Sequence, residues 1–207
     1  MKVGIVVEGR SEFKGLPEIR DQLIELTDAA ALKILFAPYD PKGSPGKIAR
    51  ECESRIKQLA GRGFNRVIVL VDREDRTDSC SEIADAIESA IADRKLGIQA
   101  HVVVKNRSFE NWLVSDPTAL TTMKARFALS KEMLRRIRPD KADRIDALSL
   151  LKKAAQGGAY GKVDDSRRIL ARADVSRMGS NSRSFRCLLG RLGHPDYRSG
   201  SCQPATS

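Results

Sequence analysis

Val67-Ile-Val-Leu-Val71 is an unbroken apolar run, the purest of four apolar stretches in the first half of the chain. Val3-Gly-Ile-Val-Val7, Leu32–Phe36 and Ile98–Val104 are the others. None shows the strict in–out alternation of a strand with one wet face. Such runs suit strands buried on both sides, as in a parallel sheet covered by helices on both faces. The segments between them carry helical spacing. Ile19, Leu23, Ile24 and Leu26 mark the first, Ile48, Cys52, Ile56 and Leu59 the second, and Ile83, Ile87 and Ile91 the third. A Pro- and Gly-rich loop spans Pro38 to Gly46. This alternation predicts an α/β fold with a doubly wound, four-stranded parallel sheet.

Beyond Val104 the β signal ends. Phe109–Leu113, Pro117–Leu129, Lys131–Ile137, Asp143–Ala155, Asp164–Ala173 and Ser182–Leu192 read as helices. In a chain of 207 residues this predicts a compact core over 1–116, a helical extension over 117–193 packed on it, and a flexible tail over 194–207. Charge divides in the same way. Residues 1–120 hold 18 Lys and Arg against 19 Asp and Glu, residues 121–207 hold 19 against 8, and the whole chain carries +10. A neutral half joined to a strongly basic half predicts a helical surface that meets a polyanion, nucleic acid before others. A solvated, Arg-rich helical surface is the plainer alternative.

The four cysteines form no Cys-x-x-Cys pair and have only two histidines to join them. That argues against a zinc site or a disulfide scaffold and fits a reducing compartment. No stretch approaches the ~18 apolar residues of a membrane span, and the first apolar run is too short for a signal peptide. The expected location is the cytoplasm.

In open α/β sheets, functional residues sit just beyond the carboxyl ends of the strands. The first run exits into Glu8-Gly9-Arg10-Ser11-Glu12 and the third into Asp72-Arg73-Glu74-Asp75-Arg76. The fourth exits into Lys105-Asn106-Arg107-Ser108-Phe109-Glu110. Acids thus gather at the ends of three strands expected to be neighbours. Glu8 alone could simply serve the macrodipole of the next helix. Asp72, Glu74 and Asp75 together require positive charge among them. Arg73 and Arg76 supply part of it. Mg²⁺ (or Mn²⁺) would supply more, because hard carboxylate oxygens are the donors it prefers. Asp72 and Glu74, two apart at a strand end, can aim at one ion, with Asp75 as substitute ligand. Glu8 would complete the site or act as general acid or base.

These residues carry a resemblance. Glu8-Gly9 after the first strand and the Asp72/Glu74 pair after the third resemble the TOPRIM (topoisomerase–primase) catalytic domain, with Glu74 standing where a second Asp is usual. Ser108-Phe-Glu-Asn-Trp-Leu-Val-Ser-Asp116 is similar to the Phe-Glu-x-Trp-Leu signature of small stand-alone TOPRIM-like proteins. RloB-like and OLD-type nucleases are among them. Ala159-Tyr-Gly-Lys162 and Ser182-Arg-Ser-Phe185 resemble the helical part of that group. The resemblance covers residues 1–116 and, more weakly, the chain to about residue 193. It implies a Mg²⁺-dependent endonuclease that hydrolyses phosphodiester bonds of DNA or RNA. Glu8, Asp72, Glu74, Glu110 and Lys162 would be catalytic, and Glu8, Asp72, Glu74 and Asp75 would hold metal. It further implies an anti-phage effector, a toxin of the abortive-infection kind, controlled by a separate ATPase chain. A homo-oligomer is compatible with this reading.

Arg10, Arg135, Arg136, Arg138, Lys152, Lys153, Arg167 and Arg168 are the candidates to grip a phosphate backbone, giving salt-sensitive binding with little sequence preference. Glu110 is either a first-turn helix acid or, as the resemblance implies, a site residue. Lys162 is either a solvated lysine or an ammonium presented to a phosphate. Trp112 and Phe109 read as core anchors, and Asp116 before Pro117 as a helix N-cap. Gly43–Lys47 mimics a P-loop, but Pro41 stands where its first Gly is needed and Ile48 replaces the Ser/Thr. Two badly placed histidines, His101 and His194, leave no material for a hydrolytic triad. Two other functions fit the same residues. One is a non-catalytic nucleic-acid-binding or regulatory module, and the other a specific RNA-processing nuclease.

Overall fold

The computed structural model describes residues 1–197; of the tail expected over 194–207, Pro195–Tyr197 form a 3₁₀ turn and residues 198–207 lie outside the described residues. Strands β1 (Lys2–Val7), β2 (Ala31–Phe36), β3 (Arg66–Asp72) and β4 (Gln99–Lys105) form one sheet in the order β2-β1-β3-β4. Every pairing is parallel, and helices cover both faces. The chain is an α/β protein.

Helices α1 (Arg10–Gly15) and α2 (Arg20–Glu25), with a 3₁₀ turn over Leu16–Ile19 between them, lead from β1 to β2. Pro17 lacks a backbone N–H and sits at the start of that turn, where one continuous helix through Leu26 was expected. Helix α3 (Pro45–Ala60) follows β2, and α4 (Cys80–Ala92) follows β3. Ser44 and Ser79 cap these two helices, so the P-loop-like Gly43–Lys47 is an ordinary helix start.

Alternation along the strands divides the apolar side chains between two faces. Val6, Val67, Val69, Val71, Val102 and Val104 pack against Ile48 and Ile56 of α3 and Ile83 and Ile87 of α4. Gly4 lets α3 lie close to the sheet, since a Cβ there would fall 2.3 Å from Leu59 Cδ1. Val3, Ile5, Val7, Ile68, Leu70 and Val103 face the other way. That second core continues into the remaining helices: α5 (Phe109–Ser115), α6 (Pro117–Thr122), α7 (Lys131–Ile137), α8 (Ala147–Ala154), α9 (Lys162–Leu170), α10 (Val175–Asn181) and α11 (Arg183–Leu192). Trp112 is fully buried within it, edge-on to Phe185 at 5.1 Å, and its indole N–H donates to Ser184 Oγ at 2.8 Å.

The helical half departs from the sequence expectation in three places. The helix expected over Pro117–Leu129 stops at Thr122, and Phe127 forms a β-bridge with Ala155. The one expected over Asp143–Ala155 divides. Asp146 caps α8 by accepting the Ser149 N–H at 2.9 Å, while Asp143 turns inward and accepts from Ser182 Oγ and from both Ser184 donors. Helix α10 was not expected, and it starts at an Asp174 cap. No helix among the described residues is long and apolar enough to cross a membrane.

Candidate metal centre

Strands β3 and β4 end together, Asp72 being the register partner of Lys105. Asp72 shares its face with Ile68 and Leu70, and Lys105 shares its face with Val103, so both point toward the larger core. β1 exits through Glu8 and Gly9 into α1. Gly9 is the N-cap, and Glu12, three residues on, accepts the Gly9 N–H through Oε2 at 2.8 Å. Two strand ends and one helical turn therefore bring Glu8, Glu12 and Asp72 together. One carboxylate oxygen from each lies within 4.8 Å of the other two.

The cation among them is Lys105. Its side chain is fully buried, with Nζ 3.0 Å from Asp72 Oδ1 and 3.7 Å from Glu8 Oε1 and in direct contact with Glu12 Oε1. The rings of Phe109 and Trp112 lie 5.9 and 6.0 Å from the same ammonium. Burial raises the Glu8 carboxyl to about 8 against the opposing pull of Lys105. Glu12 and Asp72 are raised for the same reason, again opposed by Lys105. Burial alone would lower the lysine. Its three carboxylate neighbours outweigh that effect and hold it above its ordinary value.

The donor set suits a hard cation. Glu8 Oε1 accepts the Asp72 backbone N–H at 3.0 Å, while Glu8 Oε2 is buried without a hydrogen-bond partner. Asp72 Oδ1 has the Lys105 charge beside it but no aligned hydrogen bond. Buried polar atoms left unsatisfied are uncommon and costly. Glu8 Oε2 is such an atom, while Asp72 Oδ1 has only the Lys105 ammonium 3.0 Å away, so both are open to Mg²⁺ or Mn²⁺.

The other expected residues lie around this cluster. Glu74 and Asp75 stand outside it. β3 ends at Asp72, so the two-residue alternation stops there, and Glu74 takes a left-handed φ of 54° with its N–H on Arg107 O at 2.8 Å. The Glu74 and Asp75 carboxylates pair with Lys42 Nζ at 3.0 and 2.6 Å. The negative charge of Glu74 still pushes Asp72 up. Arg73 and Arg76, expected to screen these acids, donate instead to Asn106 and to the carbonyls of Thr77, Asp78, Pro41 and Gly43. Lys42 and Lys105 do the screening.

Glu110 is buried in the first turn of α5, with Lys162 Nζ 3.5 Å from its Oε1. Arg126 fixes the approach to Lys162. It forms a two-pronged pair with Asp165, at 2.9 and 2.6 Å, and donates to the carbonyls of Gln156, Gly158 and Ala159. Asp165 in turn accepts the Gly161 N–H at the start of α9. Arg10, Arg135, Arg136, Arg138, Lys152, Lys153, Arg167 and Arg168 are all exposed. Arg167 is paired with Glu18 at 2.7 Å, and Arg138 donates to Thr118 Oγ1 at 3.1 Å. Asp116 caps α6 as expected and also takes a two-pronged pair from Arg177.

Two residues of the centre, Glu12 and Lys105, were not among the candidates. The spacing Gly9-x-x-Glu12 is a capping-box pattern and was the available signal for the first. A lysine closing an apolar strand reads as a solvent-facing terminus, which hid the second.

The sequence model of the family described as "Domain of unknown function (DUF4276)" matches residues 7–193. The chain belongs to this family. The match takes in Glu8, Glu12 and Asp72 and all the helices through α11. No curated protein matches the chain. Among solved structures it is similar to the C-terminal region of the Burkholderia pseudomallei OLD protein, at 11% identity and a TM-score of 0.47, covering 90% of this chain and 98% of that one. It is also similar to the C-terminal region of the Xanthomonas campestris pv. campestris OLD protein, at 13% identity and a TM-score of 0.39, covering 90% and 95%.

Proposed function

We propose that this protein is a metal-dependent nuclease that hydrolyses phosphodiester bonds of DNA or RNA, with Glu8 and Asp72 as the core of its Mg²⁺ or Mn²⁺ site. The observation that carries the reading is the convergence of carboxylates at the ends of β1 and β3, with Glu8 Oε2 buried without a hydrogen-bond partner. The TOPRIM resemblance of the same residues supports it, as does the basic charge of the helical half. A bound divalent ion would supply Lewis-acid polarisation of a phosphoryl oxygen and a water of lowered pKa. The chain's own groups do the rest. Glu8 would either hold the ion or, where it does not, take a proton from the attacking water and return one to the leaving oxygen. Lys162 offers an exposed ammonium to the charge that develops on phosphoryl oxygens, and Glu110 orients it. Glu74 and Asp75 join the site only if Lys42 releases them. Exposed cations on α1, α7, α8 and α9 would hold the polymer backbone. In the cell this would be a cytoplasmic defence effector held in check by a separate ATPase chain.

A second reading rests on Lys105. A buried ammonium already compensates the acids, as it would in a nucleic-acid-binding module without chemistry. Cleavage assays separate the two. Plasmid, single-stranded DNA and a mixture of transfer and ribosomal RNA are incubated with the wild type, Glu8→Gln and Asp72→Asn, with Mg²⁺ or Mn²⁺ and with chelator. Cutting by the wild type that is lost in both variants and in chelator supports the nuclease. Cutting that survives Asp72→Asn refutes the assigned site. Binding without cutting, with or without the ATPase partner, favours the module.

A further inference from the structure

Resting on the metal-centre reading, we infer that Lys105 is a resident cation of the site, with Glu12 as its dedicated counter-ion, so that each chain takes one divalent ion rather than two. Two-metal phosphoryl-transfer sites place their ions about 3.5–4 Å apart among shared carboxylates. In this chain the Lys105 ammonium already occupies such a shared place, with Glu8, Glu12 and Asp72 all within 3.7 Å of Nζ. Both oxygens of Glu12 are committed, Oε1 to Lys105 and Oε2 to the Gly9 N–H. Glu8 Oε2 is left with no partner, and Asp72 Oδ1 with Lys105 alone.

Charge points the same way. Around a bound ion, with the three carboxylates ionised, they and one ammonium sum to −2, which one divalent ion cancels, whereas two ions would leave +2 in a buried setting. Lys105 cannot easily withdraw. Its stem is fully buried at the end of β4, with Phe109 and Trp112 beside its charge. Glu12 is therefore a positioning residue that acts through Lys105, and it is not a metal ligand.

Calorimetric titration of the chelator-stripped full chain with Mn²⁺ at pH 8 tests this. The wild type is expected to bind one ion. Glu12→Gln should still bind one, with affinity changed by less than about tenfold, whereas Asp72→Asn should weaken it by more than that. Lys105→Met, which removes the ammonium but keeps most of the volume, should admit a second ion or tighten the first by about tenfold or more. Two ions in the wild type overturn the inference. So does a Glu12→Gln loss as severe as that of Asp72→Asn, or a folded Lys105→Met that binds as the wild type does. The wild-type and Glu12→Gln arms decide the matter even if Lys105→Met does not fold. A wild type that binds no Mn²⁺ overturns the metal-centre reading itself, a different failure from binding two.

Discussion

Lys105→Met should expose how strongly the centre depends on its buried ammonium. The wild-type side chain is fully buried and touches three carboxylates. Removing one partner of a buried ion cluster costs about 3–5 kcal/mol, because the partners left behind are charged, desolvated and uncompensated. In a chain of this size 1 kcal/mol moves the melting temperature by roughly 2–4 °C, so the expected loss is about 6–20 °C in metal-free buffer. Its pH dependence carries the sharper test. Glu8, raised to about 8, binds a proton in the folded chain that the unfolded chain has released above about 4.5. Metal-free stability therefore falls as pH climbs from about 4.5 to 8, and the raised Glu12 and Asp72 act in the same direction. Without Lys105 all three carboxyls rise further, and the falling window extends upward. The deficit of Lys105→Met relative to wild type should be small at pH 5.5 and largest near pH 9. Lys105 is held above its ordinary value, so the wild type keeps its ammonium across that range. Thermal unfolding followed by circular dichroism from pH 5.5 to 9 measures both quantities. An unchanged melting temperature at pH 9, or a deficit equal at both ends, would refute the electrostatic account.

Other consequences can be checked with the same protein. Trp112→Ala, which removes a fully buried ring packed on Phe109 and Phe185, should cost about 3–5 kcal/mol by chemical denaturation. A cost below 1 kcal/mol would mean the helical extension does not depend on that contact. Arg126→Met removes the donors that tie Gln156, Gly158 and Ala159 to Asp165, and should cost about 2–3 kcal/mol. It should also open the 156–161 loop to proteolysis while the sheet stays protected. Replacing Arg135, Arg136, Lys152 and Lys153 together by Gln should reduce the magnitude of the slope of log K against log salt for duplex DNA by about 3.6 if each meets a phosphate. An unchanged slope would move the binding face elsewhere.

The sheet was legible because its signal is local and redundant. Four apolar runs separated by helical spacing allow few other arrangements, and β3 matched its run, Val67–Val71, closely. The helical half was less so, since its element ends are set by distant partners. Asp143 looks like a helix-starting acid until Ser182 and Ser184, some forty residues later, claim it. The helix expected through Leu129 stops at Thr122, and Phe127 pairs instead with the distant Ala155. The centre divides along the same line. Glu8 and Asp72 could be picked out because each follows an apolar strand, and the structure places them together. Glu74 could not be placed from spacing, because the i, i+2 argument holds only while the strand continues, and the chain turns at once into a left-handed residue. Lys105 was hidden for a different reason. Its burial is the joint product of β3–β4 register, a glutamate on α1 and two aromatic rings on α5, none of which a local pattern displays.

If Glu8 and Asp72 form a divalent-metal centre, the ion itself can be located. Crystals of the full chain grown with Mn²⁺, with anomalous differences collected at the manganese edge, would give its position without reference to any substrate. One peak is expected within coordination distance of the Glu8 and Asp72 carboxylates, with Lys105 still on Glu12. A peak held elsewhere, or none at millimolar Mn²⁺, would contradict that assignment.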